Sequence, residues 1–177
     1  KSKSIRKNRP IPDVLTESEL NKLFSVISNP KHEFMFRLMF YCGLRVSETL
    51  NLKWEDINQK EKVLTVRQGK GKKDRIVPLP PQIIKYIDLF KKIEGKLFEV
   101  TRQRSWQIIK QAGHKADIKK KIRNHTLRHT YATLVYTKTG DLKAVQELLG
   151  HSRLDTSSIY AHTSTEFKKR IVENVFK

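Results

Sequence analysis

Apolar positions recur along most of this chain at the three- and four-residue spacing of a helix. Leu20, Leu23, Phe24 and Ile27 follow Thr16-Glu17-Ser18-Glu19, a capping-box pattern in which a hydroxyl and a carboxylate satisfy free amides at a helix start. An apolar run from Phe34 to Tyr41 stops at Gly43, a residue that readily takes the left-handed conformation of a helix end. Arg45 follows, at the entrance to a short helical stretch from Val46 to Leu52, so it lies at a junction between two helices. Two runs read differently. Val63 to Arg67 and Arg75 to Leu79 predict short strands around Gly69-Lys70-Gly71-Lys72-Lys73-Asp74, whose glycines and polar residues suit a turn. Helical spacing returns after Pro80 and Pro81 with Ile83, Ile84, Ile87 and Phe90, and again from Thr101 to Ala112. His125 to Lys138 predicts a further helix with Leu127, Tyr131, Leu134 and Val135 facing inward. Leu142, Val145, Leu148 and Leu149 mark another, closed by Gly150, and Glu166 to Lys177 a last amphipathic one through Phe167, Ile171, Val172 and Val175. The expectation is a mainly α domain with one small antiparallel β-sheet, an α+β class, built on a single hairpin.

Length and charge narrow the partners. A chain of 177 residues can bury one hydrophobic core. Its 37 Lys and Arg against 18 Asp and Glu leave a formal charge of +19, which repels a compact form unless a polyanion neutralises it. Nucleic acid is the obvious candidate. A membrane surface is the other polyanion, but no apolar run approaches the roughly 20 residues of a spanning helix, and signal-peptide features are missing. The lone Cys42 allows neither an internal disulfide nor a Cys-based metal cluster, in keeping with a cytoplasmic, nucleoid-associated protein. Lys1, Lys3, Arg6, Lys7 and Arg9 precede Pro10 and Pro12, so residues 1–14 read as a basic linker entering a domain, in contact with DNA or equally a solvated tail.

Four segments place cations, imidazoles and a phenol where a core has no need of them. They are Gly43-Leu44-Arg45-Val46-Ser47-Glu48, Gly69-Lys70-Gly71, His125-Thr126-Leu127-Arg128-His129, and Leu149-Gly150-His151-Ser152 with Tyr160 beyond it. Singly, each has an ordinary reading: Arg45 paired with Glu48 at the surface, Lys70 in a solvated turn, His151 at a helix end, Tyr160 packed as an aromatic. In this order and spacing they resemble the tyrosine recombinase (phage integrase) family, and more closely its Xer-like branch, from about Leu15 to the end of the chain.

That resemblance implies a tyrosine recombinase catalytic-domain fold over residues 15–162, with a C-terminal helix over 163–177 that passes to a neighbouring protomer. It also implies six catalytic positions, Arg45, Lys70, His125, Arg128, His151 and Tyr160, with Glu48 in support. The implied activity is site-specific DNA recombination through a 3′-phosphotyrosyl intermediate, in chromosome dimer resolution or in integration and excision of a mobile element. A homotetramer on two DNA sites would carry it out, without cofactor or metal.

The residues suit that chemistry. Attack of the Tyr160 oxygen on a phosphodiester conserves the bond energy in a protein link, so the break can be resealed. Planar guanidinium forks such as Arg45 and Arg128 can each hold two non-bridging oxygens, and His151 could add a donor. A phenol with an ordinary pKa of about 10 must lose its proton, for which His125 is a candidate acceptor. By the resemblance, Lys70 returns a proton to the departing sugar oxygen.

A zinc site from His125, His129 and His151 is the weaker alternative, since two arginines would oppose a cation there. His129, one residue after Arg128, is expected to be a hydrogen-bonded core histidine, and His32, His114 and His162 fall in no pattern. Lys72, Lys73, Arg75, Arg102 and Arg104 are candidate contacts to the DNA backbone, with solvated charge as their other reading. Two rivals remain at this level: a type IB topoisomerase, and a non-catalytic basic DNA-binding module.

Overall fold

A computed structural model describes residues 13–68, 74–90, 94–150 and 165–177, the first four of the last segment as backbone alone. Helix α1 (Glu17–Ser25) begins with the capping box expected of it. The Thr16 hydroxyl accepts the Glu19 amide at 3.2 Å, and the Glu19 carboxylate accepts the Thr16 amide at 2.8 Å. Helix α2 (Pro30–Tyr41) starts well before the apolar run that announced it, because Asn29 accepts the amides of Lys31 and His32 and Pro30 occupies the first helical position. Phe34, Met35, Phe36, Leu38, Met39 and Phe40 are all buried, so α2 is apolar around most of its circumference, with the Glu33–Arg37 pair on the remaining side. Around Phe34 gather the rings of Tyr86, Phe90 and Phe98, with centroids 5.4–5.9 Å away.

After helix α3 (Val46–Leu50) and a 3-10 turn at Trp54–Asp56 come β1 (Ile57–Asn58), β2 (Val63–Val66) and β3 (Arg75–Pro78), antiparallel in the order β1-β2-β3. The sheet therefore has one strand more than the hairpin read from the sequence. Two residues are too few to show the alternation that reveals a strand. At the end of the hairpin next to residues 69–73 Val66 pairs with Arg75, and the Gln68 amide donates to Asp74 Oδ1 at 3.1 Å.

The second half is helical: α4 (Pro81–Phe90), α5 (Arg102–Lys115), α6 (Asn124–Thr139), α7 (Leu142–Leu149) and α8 (Thr165–Val175). Helix α6 lies against α2, and its Thr130 hydroxyl accepts the Leu15 amide at 3.1 Å, tying the chain's entry to the core. Helix α8 packs on its own domain, against α6 and β3. Val172 and Val175 are buried, the Phe176 ring lies 4.9 Å from Tyr41 and 6.1 Å from Tyr131, and Gln82 donates to the Phe176 carbonyl. The fold class is the expected mainly α domain with a small antiparallel sheet. Among the described residues no helix is long and apolar enough to cross a membrane.

Candidate functional site

The α2–α3 junction turns on Gly43. Its φ of 62° is left-handed, and a Cβ there would fall 2.5 Å from Tyr131 Cδ1 on α6, so both backbone and neighbour require glycine. The turn aims the Gly43 carbonyl at Arg128, whose Nη1 donates to it. Two residues on, Arg45 is the residue before α3 begins, and Glu48 sits at the third position of that helix.

Glu48 collects three guanidinium groups. Its Oε2 accepts the Arg45 amide at 2.7 Å, and its Oε1 accepts Arg45 Nη1 at 3.0 Å. Arg75, from β3, grips both oxygens, Nη1 to Oε1 at 2.9 Å and Nη2 to Oε2 at 3.3 Å. Arg128, from α6, approaches Oε2 with Nη1 at 3.6 Å, and its Nη2 donates to the Leu149 carbonyl at 2.8 Å. Three cations meet one anion, leaving a surplus of two positive charges. The side chains of Arg75, Arg128 and Glu48 are only 6–10 % exposed, whereas Arg45 is 41 % exposed, so the surplus opens to solvent on the Arg45 side. Burial raises the Glu48 carboxyl, but Arg75, by hydrogen bond and charge, the Arg45 amide and Arg128 together bring it below the ordinary range. Burial first, then the repulsion of Arg45 and Arg75 against the pull of Glu48, brings Arg128 down to about 10, so it stays charged at neutral pH.

The same cluster reaches the turn after α7. Gly150 closes that helix at φ 67°, and a Cβ on it would fall 2.6 Å from Arg75 Cδ. Arg128 holds the preceding carbonyl, so the two residues before His151 rest on two of the three arginines. His151, Tyr160, Lys70, Lys72 and Lys73 lie outside the described residues.

Of the other predicted residues, His125 is exposed at the second position of α6, one turn before the buried Arg128. His129 does not enter the core. It lies four residues after His125 on the same exposed face of α6, its pKa lowered by partial burial and by the charges of His125 and Arg128. Arg102 and Arg104 are exposed in the first turn of α5, as backbone contacts would need to be. Arg75 departs from its expectation: a buried fork spent on Glu48 is not available to a DNA backbone.

A second cationic surface was missed. Trp106 and Lys110 on α5, His114, Lys119, Lys120, Lys121 and Arg123 line a groove of about 700 Å³, with the Lys110 ammonium 5.0 Å from the Trp106 ring centre. Ser105 on α5 donates to the Asn124 side chain, so this groove leads to the start of α6, where His125 stands. The Lys119-Lys120-Lys121 run was the available signal.

The profile described as the Phage integrase family matches residues 13–166. A tyrosine recombinase of Thermosipho africanus is 41% identical over 175 residues, covering 92% of this chain and 62% of that protein. The crystal structure of XerA recombinase superposes with a TM-score of 0.72 at 30% identity, over 96% of this chain and 65% of that one. XerH recombinase, in a post-cleavage complex with a palindromic difH substrate, superposes with a TM-score of 0.67 at 28% identity, over 88% of this chain and 51% of that one. The chain thus spans about three fifths of the length of the curated relatives it matches.

Proposed function

Because the chain belongs to the phage integrase family, we propose that it is the catalytic part of a site-specific DNA recombinase that breaks and rejoins duplex DNA through Tyr160. The observation that carries this reading is the Glu48 cluster: two surplus positive charges held on buried forks and opening to solvent at Arg45. A transition state at phosphorus spreads negative charge over its non-bridging oxygens, and donors fixed in advance stabilise it without reorganisation. Arg45 offers an exposed guanidinium, and Arg128 keeps donors beyond those given to Gly43, Leu149 and Glu48.

In the proposed reaction the Tyr160 oxygen bonds to phosphorus and its proton passes to His125. The bond to the 5′ oxygen breaks, and Lys70 protonates that leaving group. A 3′-phosphotyrosine and a free 5′ hydroxyl result, and the reverse attack by a partner strand's 5′ hydroxyl reseals the backbone. His151 follows directly on Gly150, whose position Arg75 and Arg128 support, and would donate to a non-bridging oxygen.

Duplex DNA is the substrate, contacted by Arg102, Arg104, Lys72 and Lys73, and along the groove of Trp106, Lys110, Lys121 and Arg123. Complete strand exchange would take four protomers on two sites, near the nucleoid, with a preceding domain clamping the duplex and α8 lending its apolar face to a neighbour. The contacts of Phe176, the residue after α8, with Tyr41 and Tyr131 are of the kind a neighbouring domain could supply in the same form.

The test is covalent capture. The full protein is incubated with a pool of nicked duplexes of randomised sequence, in which the cut fragment diffuses away and traps the adduct. A protein–DNA adduct should form, enrich a defined sequence and vanish with Tyr160→Phe. No adduct would sink the catalytic reading and leave the basic binding module. Relaxation of supercoiled plasmid without exchange between captured sites would favour the topoisomerase.

A further inference from the structure

We propose that Arg75 is a positioning residue that keeps Glu48 from neutralising Arg45 and Arg128. The inference rests on the cleavage reading above. The neighbours of Arg75 define it narrowly. Both terminal nitrogens are committed to the two Glu48 oxygens, its side chain is 6 % exposed, and its Nε is buried without a partner, against Gly150. A guanidinium 6 % exposed with both terminal nitrogens turned to Glu48 is not placed to meet a phosphate. It nevertheless shares that carboxylate with Arg45, which opens to solvent, and with Arg128.

Glu48 is needed where it is, because it holds the Arg45 amide and the Arg45 fork in place. A lone buried carboxylate would also draw Arg128 inward and cancel a charge. Arg75 resolves that conflict by taking both oxygens bidentately, the geometry in which an Arg–carboxylate pair is strongest. With Arg75 present the group carries +2 and Glu48 acts as a hub; with Arg75 neutral it carries +1 and Glu48 closes on Arg128. The Arg75 stem also fills the space under Gly150, so the turn leading to His151 rests on the same side chain.

The experiment uses a duplex recovered by the covalent capture, in single-turnover adduct formation by the full protein. Arg75→Met should slow adduct formation at saturating DNA by about 10²-fold, the scale on which a small misplacement of catalytic groups acts. The half-saturating DNA concentration should stay within about twofold, because no group that touches a phosphate is removed. Arg75→Lys keeps the charge and most of the stem but cannot fork, and should recover only part of the rate. It also serves if the methionine variant does not fold. Two readouts separate positioning from plain structural support. A methylphosphonate at the scissile position carries one negative charge less, so both variants should lose far less rate on it than on the phosphodiester. Glu48→Gln combined with Arg75→Met should be no slower than the slower single variant, since Arg75 acts through Glu48. Equal losses on both linkages, additive losses in the double variant, or a raised half-saturating concentration at unchanged rate would each overturn the proposal. An absent wild-type adduct would instead overturn the cleavage reading beneath it.

Discussion

Two regions of this molecule are built from the same cationic side chains and behave in opposite ways. At the α2–α3 junction Arg75 and Arg128 are buried, share one carboxylate with Arg45, and are held by backbone carbonyls and glycines with no room for a methyl group. Along the groove between α5 and α6, Lys110, Lys121 and Arg123 stand in solvent, and the nearby Lys119–Asp117 pair is more than 80% exposed on both sides. Exposed pairs of that kind contribute little and are screened by salt, whereas removing one partner of a buried group leaves an uncompensated charge. The +19 of the chain therefore describes two different things: a fixed, buried cluster and a diffuse exposed field, which the proposed function assigns to one phosphate and to many.

The widest separation between the two regions should come from Arg128→Met set against Lys121→Gln. Loss of Arg128 should lower adduct formation by about 10²–10³-fold at saturating DNA, the usual effect of deleting a pre-aimed donor. Loss of Lys121 should leave that saturating rate almost unchanged. Comparable rates for the two variants would erase the distinction.

Glycines sharpen the comparison next. Gly43→Ala combines a left-handed φ with a 2.5 Å approach to Tyr131, and should destabilise by about 2–4 kcal/mol, lowering Tm by roughly 5–15 °C. Gly140 has a similar φ of 66° but open space around its missing Cβ, so Gly140→Ala should cost only about 1 kcal/mol. Thermal melts of the two variants that coincide would remove the packing term.

Acid should act on the buried region through Glu48. Its carboxyl titrates below the ordinary range, so its stabilisation is complete above the unfolded value of about 4.3 and fades as pH falls through the folded value. Tm followed from about pH 6 to about pH 3 should fall less steeply in Glu48→Gln than in the wild type. Parallel curves would mean that the cluster does not hold Glu48 ionised. At the exposed groove, Lys121→Gln with Arg123→Gln should reduce the slope of log affinity against log salt by about 0.9 for each phosphate that is no longer neutralised. An unchanged slope would take the groove out of the DNA path. The smallest effect belongs to Tyr131→Phe. The buried Tyr131 hydroxyl has no partner and burial pushes its pKa up, so its removal should change Tm little or raise it slightly, as a thermal melt would register.

Much of this was legible in the sequence, for identifiable reasons. The capping box at Thr16, the closing glycines at Gly43 and Gly150 and the apolar spacing of α6 are local signals, and each marks the element it announced. Strand β1 escaped because two residues carry no period, and the start of α2 because its cap, Asn29, stands well before the apolar run. Arg45, Glu48 and Arg128 could be named from their order along the chain, and they do meet. The partnership of Arg75 with Glu48 could not be read that way, since it joins residues 27 apart whose pairing depends on the register of β3. His129 was misplaced because helical phase decides its side of α6, and four residues after the exposed His125 that side is the solvent face.

The most direct test is to locate the covalent bond. The captured adduct is digested with nuclease and protease, and the nucleotide-bearing peptide is sequenced by mass spectrometry. A residual nucleotide on Tyr160, absent from Tyr160→Phe and strongly reduced in Arg128→Met, is the expected result. A nucleotide on Tyr41, Tyr86, Tyr131 or Tyr136, or one that forms equally well without Arg128, would contradict the assignment of the Glu48 cluster as the phosphate-receiving site.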